Sequence, residues 1–376
     1  MRLIFAAMIS SMACAQAIAA QPATAESTPI ANVDARSVAT TLAARLESDF
    51  VFPEQGKRYA TALRANADAG AYDVLKGAEL AKKMSDDLQN VARDGHLRVM
   101  FEGMGSGPQI IIKRPPDAAG GPPVGTGKPV MIRMAPPPAI EHAGWIAPGI
   151  AFVRFNLFPG EPGTVEAVRK FMAAHASAKT IIFDIRTHIG GGLDEMDAIF
   201  PWLFAKPTRL ATMATRKSVD DAGGSPIANL ASMRIVPANP NFVTREHWVK
   251  PGKSKRLNKA NIFVLTSGMS GSAAEHFALA FKHSGRGTLI GSATFGANHF
   301  GGDQDLGGGF TAFIPVGRTY DPKTGKDWEG VGVAPDIDVA PEGALVTALV
   351  LSGVTQTKAA ELSAKVAPKG PMFGKQ

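Results

Sequence analysis

Cysteine is nearly absent. The 376 residues hold one, Cys14, and it falls in a stretch expected to be removed on export. A mature chain without cysteine has no disulfide, no thiolate nucleophile and no cysteine metal site. Long apolar runs are scarce too. Leu3–Ala19 is mostly apolar but short for a membrane span, and no later segment is long and apolar enough to cross a bilayer. Arg2 precedes that run, Ala17-Ile18-Ala19 supplies a small-x-small cleavage site, and a Pro/Ala/Thr/Ser-rich stretch (Gln21–Pro29) follows. This is the layout of a secretory signal peptide. Residues 1–19 are therefore expected to be a signal peptide cleaved near Ala19, residues 20–33 a disordered linker, and the mature protein periplasmic or secreted. The leucine usual in a lipoprotein signal is missing before Cys14.

Aromatic residues are also missing where a nucleic-acid surface would want them. The formal charge is +7, and part of it sits in Lys250, Lys253, Lys255, Arg256 and Lys259. No aromatics interleave with these charges, so the stretch reads as a solvated loop and no nucleic-acid partner is expected. Gly125-Thr126-Gly127-Lys128 does not make a phosphate loop. Pro122 stands where its first glycine belongs and Pro129 where Ser or Thr is needed. No metal or other cofactor is expected.

What is present falls into blocks. In residues 34–102, Val38, Leu42 and Leu46 recur every fourth position, and Leu80, Met84, Leu88 and Val91 nearly so. Pro53 and Gly70 divide the block into about three helices, an N-terminal helical domain. Residues 103–148 are rich in Gly and Pro, with short strand-like runs at Gln109–Ile112 and Val130–Met134, and read as a linker or β-rich lid. From 149 to 345 strands alternate with helices: strands at Ile150–Phe155, Thr180–Phe183, Ile262–Leu265, Thr311–Pro315 and Ile337–Val339, helices at Val165–Ala178, Leu193–Phe204 and Ser272–His283. That alternation predicts an α/β core with a largely parallel sheet. Residues 346–376 read as a C-terminal tail.

Open α/β folds gather reactive groups where strands end and helices begin. One such junction is Ile182-Phe183-Asp184-Ile185-Arg186, followed by Thr187-His188-Ile189-Gly190-Gly191-Gly192, whose glycines let backbone N–H groups approach a ligand or simply make a turn. The other runs from Val264 through Ser267-Gly268-Met269-Ser270-Gly271-Ser272 to Ala273-Ala274-Glu275. A serine at this helix mouth gains N–H groups for a developing oxyanion. Serine is also a common N-cap, and this feature alone leaves both readings open. The nucleophile elbow of α/β-hydrolases does not fit, because its frame needs Gly where Ser272 stands.

A serine nucleophile needs a base. Of the eight histidines, His175, His247 and His283 sit among polar neighbours and read as surface. His142 falls in a loop, and His276, four residues into the Ser272 helix, reads as packed. His96, His188 and His299 remain.

Four patches in order then resemble one family: Asp94-Gly95-His96; Asp184-Ile185-Arg186 through Gly192; Ser272-Ala273-Ala274-Glu275; and Trp328-Glu329-Gly330-Val331-Gly332-Val333-Ala334-Pro335-Asp336. The family comprises the tricorn core, the carboxyl-terminal-processing peptidases and the interphotoreceptor retinoid-binding protein. Phe50-Val51-Phe52-Pro53-Glu54, and Gly291–Gly301 followed by Gly317-Arg318, are similar to the retinoid-binding branch, and the match spans roughly residues 35–345. The resemblance implies a ClpP/crotonase-like α/β core with an N-terminal helical domain and no PDZ module. It makes Ser272 the nucleophile, His96 the general base and Glu329 the acid of the charge network. The oxyanion would be held by N–H groups of Ala273 and of Gly190 or Gly191. Physically, histidine takes the serine proton and returns it to the leaving amine while a carboxylate steadies the imidazolium.

The family's other branch uses a lysine on a strand well after the helix. Between Ser272 and Lys323 the only lysine is Lys282, at the far end of the nucleophile's own helix, so the histidine branch fits. Two departures stand out. Gly95 replaces the second serine of the tricorn pattern, and Ile189 interrupts the glycine run. The expected function is an exported serine peptidase acting on peptides or unfolded protein. The alternatives are a non-catalytic carrier of apolar ligands of the retinoid-binding type and a serine hydrolase of small esters.

Overall fold

Pro53 and Gly70 break the apolar period of the N-terminal block where the sequence predicts. In the computed structural model, which describes residues 34–102, 137–237, 240–370 and 372, three helices form: α1 (Ala35–Asp49), α2 (Pro53–Asp68) and α3 (Gly77–Val91). Pro53 opens α2, where its missing N–H costs nothing. Asp34 caps α1 by accepting from Arg36 N–H. Strand β1 (Arg98–Phe101) follows.

The next elements are β2 (Ile140–Ala147), β3 (Ile150–Phe155), α4 (Pro162–Ala174), β4 (Thr180–Asp184) and α5 (Asp194–Leu203). An antiparallel excursion comes next, with β5 (Thr208–Arg216), the short α6 (Lys217–Asp221), β6 (Met233–Val236) and β7 (Phe242–Val249). The chain then returns through β8 (Asn261–Thr266), α7 (Ala273–Ser284) and β9 (Thr288–Gly291). It ends with β10 (His299–Gly307), β11 (Phe310–Tyr320), β12 (Ile337–Asp338), α8 (Ala344–Leu351) and α9 (Gln356–Lys365).

Two six-stranded sheets result. One has the order β12-β9-β8-β4-β3-β2 and is parallel except for β2. Its central strands are buried on both faces, so they read as continuous apolar runs. Alternate residues serve opposite layers. Val153, Phe183 and Val264 join α4, α5 and α7 on one side, while Phe152, Ile182 and Leu265 meet α8 and α9 on the other. Phe277 and Phe281 of α7 are completely buried, each contributing about 1.5–3 kcal/mol over an exposed ring. The other sheet is antiparallel, β1-β11-β5-β7-β6 with β10 also on β11, and α1–α3 pack against it.

The α/β class holds, with helices at the amino end. Several boundaries differ from the sequence reading. The stretch read as a tail from 346 carries α8 and α9, whose Ala344, Leu345, Ala348, Leu349 and Ala359 cover one face of the parallel sheet. Residues 140–147, read as part of a linker or lid, form the edge strand β2. The runs at Gln109–Ile112 and Val130–Met134, the expected signal peptide and the expected linker at 20–33 lie outside the described residues. The helical block is also not freestanding. Its strand β1 pairs with β11, far later in the chain, with Arg98 opposite Phe313.

Candidate active site

Strands β4 and β8 are parallel neighbours, Asp184 opposite Leu265, so the two turns that follow them emerge side by side. Hydrogen bonds stitch them together. Ser267 Oγ donates to Arg186 O (2.5 Å), Ser270 Oγ to Ile185 O (2.7 Å), and Gly271 N–H to His188 O (3.0 Å). Below them Asp184, wholly buried, accepts from Arg154 Nε (2.8 Å) and from Arg186 Nε and Nη2 (2.8 Å each). Burial pushes its carboxyl up, and the two guanidiniums reverse this and hold it below its ordinary range. Arg154 also reaches Val366 O and Arg186 reaches Pro341 O (2.6 Å each), so the carboxyl-terminal segment is tied to the base of the site.

The serines of the second turn separate cleanly. Ser267 and Ser270 are buried and spend their hydroxyls on carbonyls. Ser272 is partly exposed and sits at the N-cap of α7 with φ 57° and ψ −116°. An ordinary N-cap is extended. Among the described residues Ser272 is the one non-glycine residue at positive φ, a conformation that costs about 1–3 kcal/mol and collects at functional sites. Gly190 lies against it. A Cβ on Gly190 would sit 3.0 Å from Ser272 Cβ and 3.4 Å from its Oγ, and its φ of 129° is one that L side chains avoid.

The fourth residue of Ser-Ala-Ala-Glu explains how the strain is held. Glu275 is buried. Its carboxylate accepts from Ser272 N–H (2.9 Å), Thr294 Oγ (2.6 Å), Gly296 N–H (2.7 Å) and Ala297 N–H (2.8 Å). Burial raises its carboxyl, and the four donors offset part of that rise. Glu275 thus clamps the Ser272 turn to the loop at 294–297. The sequence reading used this residue only to mark the serine.

That loop leads to the first and fourth patches. Glu329 accepts from Gly95 N–H (2.7 Å), Asn298 N–H (2.7 Å) and His299 N–H (3.3 Å). Asp94 accepts from the N–H groups of His96 and Leu97 (2.9 Å each) and pairs with His299 Nδ1 (2.6 Å). Burial would raise Asp94 and lower His299, but their mutual hydrogen bond and charge win, leaving Asp94 below and His299 above their ordinary values. One oxygen or nitrogen from each of Asp94, His299 and Glu329 lies within 4.8 Å of the others. N–H donors already occupy both carboxylates, which makes the cluster a pinned ion pair more than a cage for a cation.

His96 follows Asp94 on this loop, its ring stacked on Phe313 at 5.3 Å. Burial lowers it to about 4, with Asp94 opposing and Arg98 and His299 adding to the drop, so the ring is neutral at pH 7, as a general base requires. Its Nδ1 is buried without a partner among the described residues. No hydrogen bond joins Ser272 Oγ, His96 and Glu329 there, and Glu329 touches the His96 loop through Gly95 instead. Such contacts often tighten only around substrate. The structure also accounts for glycine at 95, where a Cβ would stand 2.9 Å from Ala297 Cβ and 3.2 Å from Glu329 Oε1.

Of the oxyanion candidates, Gly190 N–H donates to His188 Nδ1 (3.1 Å). No acceptor is found among the described residues for Ala273 N–H or Gly191 N–H. Lys282, excluded as a base on sequence, sits at the far end of α7 bound to Ala334 O (2.7 Å) and Asp336 (3.1 Å). The basic side chains of 250–259 are exposed on the loop before β8. Four histidine readings need correction. The side chain of His283, read as surface, is 6% exposed and lies 3.6 Å from Asp321. His247 is fully buried and hydrogen-bonded to His276 (2.9 Å) and Asp197 (2.8 Å). His175 is buried with its ring on Phe171, and His142 lies on β2, not in a loop. His276 is packed, as expected.

Residues 149–339 match the model of peptidase family S41, half of the chain, and the chain belongs to that family. Among solved structures, a candidate peptidase from Parabacteroides merdae shares 16% identity over 90% of this chain and 98% of that one, with a TM-score of 0.53. The photosystem II D1 C-terminal processing protease is 21% identical over 58% of this chain, TM-score 0.40, and this chain covers 48% of its length, about half. The tricorn protease is 17% identical over 58% of this chain and 18% of its own, TM-score 0.34. At 16% identity the likeness to the Parabacteroides merdae structure speaks for the fold alone.

Proposed function

We propose that this chain is an exported serine peptidase in which Ser272 attacks the scissile carbonyl, His96 takes and returns its proton, and Glu329 holds the histidine loop in place. The observation that carries this reading is the backbone of Ser272. It is partly exposed, forced to positive φ at the mouth of α7, and braced by Glu275 from one side and Gly190 from the other. A mere cap would not need that strain. Membership of a peptidase family supports peptide substrates, and export rests on the apolar Leu3–Ala19 run. His96 is neutral and carries an unpartnered Nδ1. Its loop meets Glu329 and Ala297, and Ala297 N–H meets the Glu275 that grips Ser272.

A fluorophosphonate probe tests the proposal. It should label Ser272, and Ser272→Ala should lose about a thousand-fold or more of labelling and of peptide turnover while the thermal melt stays in place. Labelling that persists in the alanine variant would sink the assignment.

A further inference from the structure

The backbone N–H groups of the two turns can be followed one by one. Buried amides are nearly always paired, which bears on Ala273, whereas Gly191 is exposed. In the first turn His188 N–H donates to Ile185 O (3.1 Å), Ile189 N–H to Asn156 O (3.0 Å), Gly190 N–H to the His188 ring (3.1 Å) and Gly192 N–H to Phe158 O (2.7 Å). From His188 to Gly192, Gly191 N–H is the one without an acceptor among the described residues; Thr187 N–H, just before them, has none either. In the second turn Gly271 N–H goes to His188 O (3.0 Å), Ser272 N–H to Glu275 (2.9 Å), Ala274 N–H to Gly271 O (3.1 Å) and Glu275 N–H to Ser272 O (2.9 Å). From Gly271 to Glu275, Ala273 N–H is the one left over among the described residues; Gly268 N–H, earlier in the turn, also has no acceptor.

The unpaired amide of the first turn has a defined direction. Gly190 O accepts from Phe158 N–H (3.0 Å), and the 190–191 peptide is trans. In a planar trans peptide C=O and N–H point opposite ways, so Gly191 N–H is directed away from Phe158. The other neighbour of Gly190 is Ser272, whose Cβ and Oγ lie 3.0 and 3.4 Å from where a Gly190 Cβ would be. Gly191 itself is exposed, so the amide is open to an incoming group.

We propose that His188 is a positioning residue that selects the second oxyanion donor. By accepting Gly190 N–H it withdraws that amide and fixes the 190–191 peptide, so that Gly191 N–H and Ala273 N–H together face the oxyanion formed at Ser272. The inference rests on Ser272 being the nucleophile. His188 suits the task. It is fully buried and lies edge-on to Phe158 with ring centroids 4.3 Å apart. Burial lowers it to about 3, so Nδ1 keeps its lone pair for Gly190 and the ring proton stays on Nε2. A hydrocarbon of similar size at 188 would fill the space but leave Gly190 N–H without its acceptor.

The test compares His188→Leu with His188→Asn, whose side-chain oxygen can still accept from Gly190, using fluorophosphonate labelling of the full chain. Loss of one oxyanion donor costs about 10²–10³ in rate. His188→Leu should therefore lower the maximal labelling rate by about 100-fold or more. The probe concentration at half-maximal rate should stay within about threefold, and His188→Asn should keep the rate within about tenfold. A His188→Leu rate within about threefold of the parent overturns the inference, as does an equal loss in both variants. Should His188→Leu fail to fold, the asparagine variant decides alone, a loss of about 100-fold or more overturning it. A parent chain that resists the probe, or one labelled elsewhere than Ser272, overturns the hydrolase reading and this inference with it. A parent labelled at Ser272 isolates the role of His188.

Discussion

The Ser272 half of the candidate site and the His96 half are held by different means. The turns carrying Ser272 and Gly190 rise from neighbouring parallel strands, β8 and β4, and are sewn together by Ser267, Ser270 and the backbone of 188 and 271. The His96 loop belongs to the N-terminal block. It reaches the site through contacts of very long sequence separation, among them Gly95 to Glu329 and Asp94 to His299. One half is held by neighbouring strands of the parallel sheet, and the other by the pairing of β1 with β11 and a few polar contacts. Changes at the first should therefore cost stability and activity together, and changes at the second should cost placement first.

Glu275 gives the largest expected effect. It is the buried clamp of the Ser272 half, with four donors on one carboxylate. Glu275→Gln turns one acceptor oxygen into a donor facing N–H groups, and breaking such a buried network costs about 2–4 kcal/mol. Urea unfolding should read that loss, with labelling of Ser272 falling in parallel because its N–H loses its partner. An unchanged midpoint would show that the clamp is not what holds the strained serine.

The histidine half should respond to pH. His299 is raised in the fold, so its contribution is complete below its unfolded value near 6.5 and fades as pH rises through the folded one. Asp94 is lowered, so its contribution is complete above its unfolded value near 3.8 and fades as pH falls through the folded one. The pair therefore stabilises most between those two unfolded values and loses strength on both sides. Asp94→Asn should cost about 1–3 kcal/mol near pH 6. That difference should narrow at alkaline and at strongly acid pH, and the His96 loop should loosen by hydrogen exchange before the melt moves far. A difference constant from pH 4 to 9 would break the contrast between the halves.

The contrast also separates what the sequence made legible from what it did not. Helix and strand alternation from 149 onward found the parallel sheet, since strands buried on both faces must be apolar throughout. Ser272 and the glycines at 190–192 stood out because strand-to-helix junctions concentrate small residues. The excursion from 208 to 249 carried no expectation, because its strands pair with segments elsewhere in the chain and β7 mixes charged and apolar residues. His247 read as surface for that reason. Strand alternation turns Arg245, His247 and Val249 inward, where Asp220, Asp197 and His276 satisfy the polar pair. Likewise Asp94–His299 joins residues 205 apart, a pairing that no local pattern can announce. The helices α8 and α9 were missed because their apolar residues cover a sheet face that only the folded chain creates.

Gly95 offers the smallest and most exact probe of the histidine half. A second serine at this position would suit the tricorn pattern, but the structure leaves it no room, with Ala297 Cβ 2.9 Å from where a Cβ would stand. Gly95 is not held at positive φ, so a side chain meets no backbone penalty there and the cost is steric. Gly95→Ala should destabilise by about 1 kcal/mol, in the range of modest overpacking, and slow labelling of Ser272 a few-fold by shifting the neighbouring His96. Ala297→Gly removes the opposing methyl, so the double variant should recover most of the loss, giving a coupling of about 0.5–1 kcal/mol in a double-mutant cycle. If the two changes simply add, the His96 loop and the loop clamped by Glu275 do not bear on each other at this point. The two halves of the site would then meet only through Glu329 and the Asp94–His299 pair.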